Sequence, residues 1–310
     1  MPEMVRITDV APRDGLQNEK ALVPTPDKAR LIELLVDALV DEVEVASFVH
    51  AKWVPQLADA EELLEELVAI KRPDVTFSAL VPNERGMARL LHACERIGMQ
   101  VIDKVSVFTA ASETFSTKNT NASIAETIER FRPVVALARE HGMQVRAYIS
   151  CIVACPFEGQ IAPEQVARVV RLLEPLAPDE IDLGDTIGAA TPQTLAPAID
   201  AARSACEWAQ NLPPEAWVLH LHDTKGTAPA CVEAALDMGI RSFDASVAGL
   251  GGCPFASTPG ARAPGNIDTR VLIETLTRLG YETRVSVDRL ERAAAFARSI
   301  LQAGASGAIA

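Results

Sequence analysis

Short runs rich in Val, Ile, Phe and Thr alternate along the whole chain with stretches whose apolar residues recur every three or four positions. That is the pattern of repeated strand–helix units around a parallel sheet. Eight strands are predicted, at Val5–Ala11, Glu42–Phe48, Val75–Val81, Val101–Phe108, Gln144–Cys151, Glu180–Asp185, Trp217–His222 and Ser242–Ala248. Thr25-Pro26 and Thr191-Pro192 open two of the intervening helices, with proline in the first turn, and Gly98, Gly142, Gly239 and Gly280 close others. Eight units in about 280 residues predict an α/β fold of the closed (β/α)8, or TIM-barrel, kind rather than an open doubly wound sheet. The eighth helix is expected at Asp268–Leu279. A further amphipathic helix, from Val287 to about Gln302, is surplus to the eight units, with Leu290, Ala293, Ala294, Phe296 and Ile300 on one face. It is expected to flank the barrel or meet another copy of the chain, and Ala303–Ala310 is expected to be a disordered tail.

Composition narrows the possibilities. The 310 residues are 48% hydrophobic and 23% charged, and no Pro/Gly/Ser-rich linker divides them, so residues 1–310 are expected to form one domain. A formal net charge of -13 weighs against nucleic acid and anionic membranes as partners. The start, MPEMVRITDV, lacks a basic stretch followed by an apolar run, and no apolar segment of about 18 residues follows, which predicts a cytoplasmic protein. The six cysteines are scattered and are expected to be reduced; Cys151 and Cys155 have no second pair with which to build a structural zinc site.

In barrels of this kind the chemistry lies beyond the C-terminal ends of the strands. His220-Leu221-His222-Asp223 ends the seventh strand, and alternation turns both imidazoles into the barrel mouth. That is half a metal site, in preference to a pair of core histidines bonded to backbone. Arg13-Asp14-Gly15 follows the first strand and, taken alone, reads as a capping or salt-bridging turn. Within the second strand Glu42, Glu44 and Ala46 fall on the barrel side, so a buried carboxylate there must meet a cation, a metal or a cluster of donors. Asp185 ends the sixth strand. Strict alternation faces it outward with Ile181 and Leu183, whereas Gly184 permits a turn toward the rim; a helix N-cap is the equal alternative. Ser246–Phe255 carries Gly249, Gly251 and Gly252 before Cys253, a loop suited to closing over a ligand, although Cys253 alone reads as an inert thiol.

Together these residues resemble the 3-hydroxy-3-methylglutaryl-CoA lyase family. The resemblance rests on Pro12–Lys20, Ser47-Phe48-Val49 with Lys52–Gln56, Leu183–Gly188, His220–Thr224 and Ser246–Phe255, and it runs in order over roughly residues 5 to 300. It implies a divalent cation, Mg2+ or Mn2+, held by Asp14, His220, His222 and Asn266, acidifying the 3-hydroxyl of an acyl-CoA thioester so that the C–C bond collapses. It further implies that Arg13 stabilises the acetyl-CoA enolate, that Cys253 protonates it, and that Glu44, Asp185 and His220 assist proton transfer. A homo-oligomer, dimer or tetramer, is the expected assembly. Two features depart from the family. Cys253 and Asn266 are thirteen positions apart where relatives have nine, and Arg270 stands where relatives carry Glu. A Claisen-type acyltransferase of the isopropylmalate or homocitrate synthase kind and a non-catalytic metal or CoA-ester binding protein are the alternatives.

Overall fold

The structure, a computed structural model, describes residues 3–19, 21–251 and 265–307. Strands form at Arg6–Asp9, Glu42–Ser47, Thr76–Leu80, Lys104–Ala110, Gln144–Ser150, Glu180–Asp185, Trp217–Leu221 and Ser242–Ala245, all within one or two residues of the β-rich runs except at a few ends. Each pairs in parallel with the next, and the eighth returns to the first, so the barrel is closed as expected. The fourth strand begins at Lys104, after a non-strand stretch at Val101 to Asp103. The first strand ends early. Residues Ala11–Gly15 leave it as one turn of π-helix, in which the Gly15 amide donates to the Val10 carbonyl at 3.1 Å. Such turns are rare and concentrate at functional sites.

Helices sheathe the barrel through apolar faces such as Leu31, Ile32 and Leu35 of Thr25–Asp37. Thr191 caps Pro192–Arg203 as its sequence predicts, accepting from the Thr194 amide. Thr25 behaves differently: it is the first helical residue rather than a cap, and its hydroxyl donates to Asp59 at 2.7 Å. Gly98, Gly142, Gly239 and Gly280 all stand just past helix ends at positive φ, where a Cβ is disfavoured. The last helix spans Val287–Gly307 and buries Leu290, Ala293, Ala294 and Ala297, with Phe296 and Ile300 packed at its margin. It continues past residue 302, so the expected disordered tail is corrected as far as Gly307. Alanines favour helix there, and extending an existing helix is far easier than nucleating one.

The barrel interior is unusually ionic. Period-2 alternation sends Glu42, Glu44, Arg146, Tyr148, Glu180, Asp182, His220 and Asp244 inward, together with Lys104. The Lys104 ammonium, fully buried, donates to Glu42 at 2.6 Å and to Glu180 at 2.7 Å. Arg146 donates to Glu180 at 2.7 Å, to Asp244 and Glu42 at 3.1 Å and to Thr8 at 3.2 Å. Desolvated charges are tolerated when each meets a partner in this way, and the network fixes the geometry of the floor beneath the mouth.

Candidate metal centre and active site

The π-turn after the first strand carries Arg13 into the barrel mouth. Its Nε donates to Glu44 Oε2 at 2.5 Å, a second guanidinium nitrogen pairs with the same oxygen, and Nη1 donates to Asp14 at 2.7 Å. Burial opposes the Arg13 charge, but Glu44 and Asp14 outweigh it and hold the guanidinium protonated, above its ordinary value. Glu44 thus meets the cation that its burial requires. The turn needs glycine at position 15, where a Cβ would lie 2.9 Å from Leu250 Cβ and 3.0 Å from Ser246 Oγ.

Ligand atoms of Asp14, His220 and His222 lie within 4.8 Å of one another, and the two imidazole centroids are 5.4 Å apart. Asn266 joins them because the chain returns along the seventh strand: Asp223 donates to the Gly265 carbonyl and Ile267 to the Leu221 carbonyl, at 2.7 and 2.9 Å. Asn266 Nδ2 donates to Asp14 Oδ2 at 2.9 Å and to the Leu250 carbonyl at 3.0 Å. Asn266 Oδ1 and His222 Nδ1 are buried without any partner. Two orphaned acceptors beside a carboxylate and a second imidazole are the donor set of a borderline-hard divalent cation, so these residues fit one. Burial raises the Asp14 carboxyl, yet Arg13, the imidazoles and Asn266 hold it down to about 2, and burial beside His220 drops His222 to about 4. Both groups are therefore in the deprotonated form that ligation requires.

Below this cluster His220 Nδ1 lies 3.2 Å from Asp244 Oδ2, which also accepts from the Tyr148 hydroxyl at 3.2 Å. Neither oxygen of buried Asp182 finds a donor. As a carboxylic acid it has an acceptor in Asp244, and burial and the Asp244 charge push it well above the usual carboxylate range. Buried carboxylates in the mouth and floor outnumber Arg13, Lys104 and Arg146, an imbalance that a divalent cation reduces.

Asp185 is placed as alternation predicts rather than as its strand-end position suggests. Its oxygens accept from the Ala189 and Ala190 amides at 3.0 and 2.9 Å, anchoring the loop after the sixth strand, and Thr186 rather than Asp185 lines the cavity. Gly188 in this loop has φ +62, and a Cβ there would meet Thr224 at 2.6 Å. Cys253 and the insertion Ser257–Pro264 lie outside the described residues. Arg270 is turned away from the mouth: it donates to Glu274 at 2.8 Å and pairs with Glu291 on the last helix.

The mouth opens into a cavity of ≈ 440 Å³ lined by Arg13, Asp14, both histidines, Tyr148 and Lys118 among others. A second cavity of ≈ 360 Å³ shares Val49, Trp53, Phe108, Lys118 and Asn119 with it. Tyr148, Asp244 and Lys118 escaped the sequence reading. For Asp244 and Tyr148 the signal was present: polar residues inside β-rich runs on the same parity as other inward side chains. Lys118 sits on a short helix, where nothing local marks it.

The HMGL-like family pattern matches residues 4–297. Bovine mitochondrial hydroxymethylglutaryl-CoA lyase is 43% identical over 295 residues, covering 95% of this chain and 85% of that protein. Among solved structures, the HMG-CoA lyase of Brucella melitensis is 44% identical with a TM-score of 0.86, covering 97% of this chain and 99% of its own. An HMG-CoA lyase from Acinetobacter baumannii, in complex with coenzyme A and 3-methylmalate, is 32% identical with a TM-score of 0.84, covering 96% and 92%. With this likeness spanning the barrel and every described segment of its mouth, the chain belongs to the HMGL-like family.

Proposed function

We propose that the chain is a single-domain, divalent-metal-dependent carbon–carbon lyase that cleaves hydroxymethylglutaryl-CoA or a close 3-hydroxy-acyl-CoA analogue to acetyl-CoA and a keto acid. The observation that carries this reading is the convergence of Asp14, His220, His222 and the orphaned Asn266 Oδ1 beside the Arg13–Glu44 pair, at the floor of one cavity. Mg2+ or Mn2+ suits such oxygen and imidazole donors. When bound there, the cation would supply Lewis-acid polarisation of the substrate's oxygens.

The protein's own groups account for the rest. The substrate's 3-hydroxyl gives up its proton to Glu44, whose Oε1 has no hydrogen-bond partner, the C–C bond electrons pass into the thioester as an enolate, and the hydroxyl carbon becomes the new carbonyl. Arg13, a permanent cation held by Glu44, stabilises the enolate oxygen. Cys253 delivers a proton to the enolate carbon, completing acetyl-CoA. Asp185 contributes by holding the loop that brings Thr186 to the cavity. The coenzyme A of the Acinetobacter relative supports an acyl-CoA substrate, and the second cavity, with Lys118 at its junction and Arg130 in its wall, suits a phosphate-bearing arm.

The described helices include none long and apolar enough to cross a membrane. The test is a panel of CoA thioesters assayed with and without Mg2+ or Mn2+, reading acetyl-CoA release. Metal-dependent cleavage is expected; condensation from acetyl-CoA, or binding without turnover, would refute the proposal.

A further inference from the structure

We propose that Asp244 is a positioning residue for the metal centre, holding His220 through Nδ1 so that Nε2 is the nitrogen presented to the cation; this rests on the reading of the site as a metal-dependent lyase. Asp244 and His220 are register partners on the eighth and seventh strands, both facing inward, and Oδ2 lies 3.2 Å from Nδ1. The carboxylate cannot turn away from the ring. Arg146 Nη1 donates to Oδ1 at 3.1 Å, and the Tyr148 hydroxyl donates to Oδ2 at 3.2 Å. Arg146 is itself fixed by Glu42, Glu180 and Thr8, so the restraint on the imidazole extends to the far side of the barrel. The Tyr148 ring meets the His220 ring edge-on, at 87° and 6.3 Å, and limits its rotation.

A carboxylate only accepts, so a neutral imidazole bonded to it through Nδ1 carries its proton there and leaves the Nε2 lone pair free. The neighbouring ligand is prepared differently. His222 Nδ1 is buried with no partner and stands as an acceptor open to the cation. His220 is thus locked in tautomer and direction by a carboxylate that is itself held in place.

Two measurements test this without turnover. Binding of Mn2+ alone, followed by the EPR signal of the free ion, should weaken 10- to 100-fold in Asp244→Ala, the usual effect of losing the group behind a ligating histidine. Wild-type affinity in a folded Asp244→Ala protein would overturn the proposal. If that variant fails to fold, 15N NMR of the Mg2+-loaded wild type decides: protonated Nδ1 and unprotonated Nε2 on His220 are expected, and the reverse pattern would overturn it. The functional reading fails separately. A wild type that binds Mn2+ and shows the expected tautomer but cleaves no thioester sinks the lyase assignment alone, whereas a wild type that binds no Mn2+ sinks both.

Discussion

Arg13 and Glu44, thirty-one positions apart in sequence, meet in the barrel mouth through a 2.5 Å hydrogen bond from Nε to Oε2. The contact joins the π-turn after the first strand to the second strand, and Asp14 takes another edge of the same guanidinium. A planar fork is needed to serve both carboxylates at once, and Arg13 still lines the cavity.

Arg13→Lys should therefore lower kcat by about 10²- to 10³-fold, the scale for losing one donor to a developing oxyanion. Steady-state kinetics alongside Mn2+ binding checks the assignment, because the metal affinity should stay within a few fold of wild type. Activity within fivefold of wild type would mean that Arg13 only pairs carboxylates.

Metal removal should abolish turnover, and Mg2+ or Mn2+ should restore it. His222→Ala should weaken Mn2+ binding by at least about tenfold. Because the cation binds the folded state, it should also raise the melting temperature of wild type more than that of the variant. Chelator-treated protein with undiminished cleavage would contradict the role given to Asp14, His220 and His222.

The barrel was legible because strand and helix periodicities differ, and alternation then placed Glu42, Glu44, His220 and His222 inside it. Alternation was also the better guide at Asp185, where trust in the strand end pointed to the rim and the structure instead bonds both oxygens to loop amides. What the chain did not disclose is partnership across strands. Asp244 and His220 are 24 residues apart, and Arg146 reaches Asp244 across 98, so these pairings depend on strand register and barrel closure rather than on any local spacing. Asn266 reaches Asp14 for the same reason, over 252 positions.

Cys253 lies two positions beyond Gly251, which lines the cavity. Cys253→Ser should depress turnover while leaving the melting temperature and Mn2+ affinity unchanged, since a hydroxyl is a far weaker acid than a thiol. Thiol alkylation should inactivate wild type, and substrate should protect against it. Nearly full turnover in Cys253→Ser would remove this residue from proton transfer.

Arg270, where the family resemblance implies an acid, invites two explanations from sequence: altered substrate choice or a surface charge. The geometry favours the second. The guanidinium donates to Glu274 at 2.8 Å and pairs with Glu291, its side chain is 51% exposed, and it lines neither cavity at the mouth. Arg270 therefore ties the eighth barrel helix to the last helix. Exposed ion pairs contribute little because water and salt screen them, and an acid in a helix's first turn regains a little from the helix dipole. Arg270→Glu loses both pairs and adds repulsion from Glu274 and Glu291, so the balance is a small destabilisation. The expected result is a melting temperature lower by a few degrees at most, with kcat/KM values across the thioester panel keeping their wild-type order. A reordering of substrates in Arg270→Glu would show that this charge acts on the pocket after all.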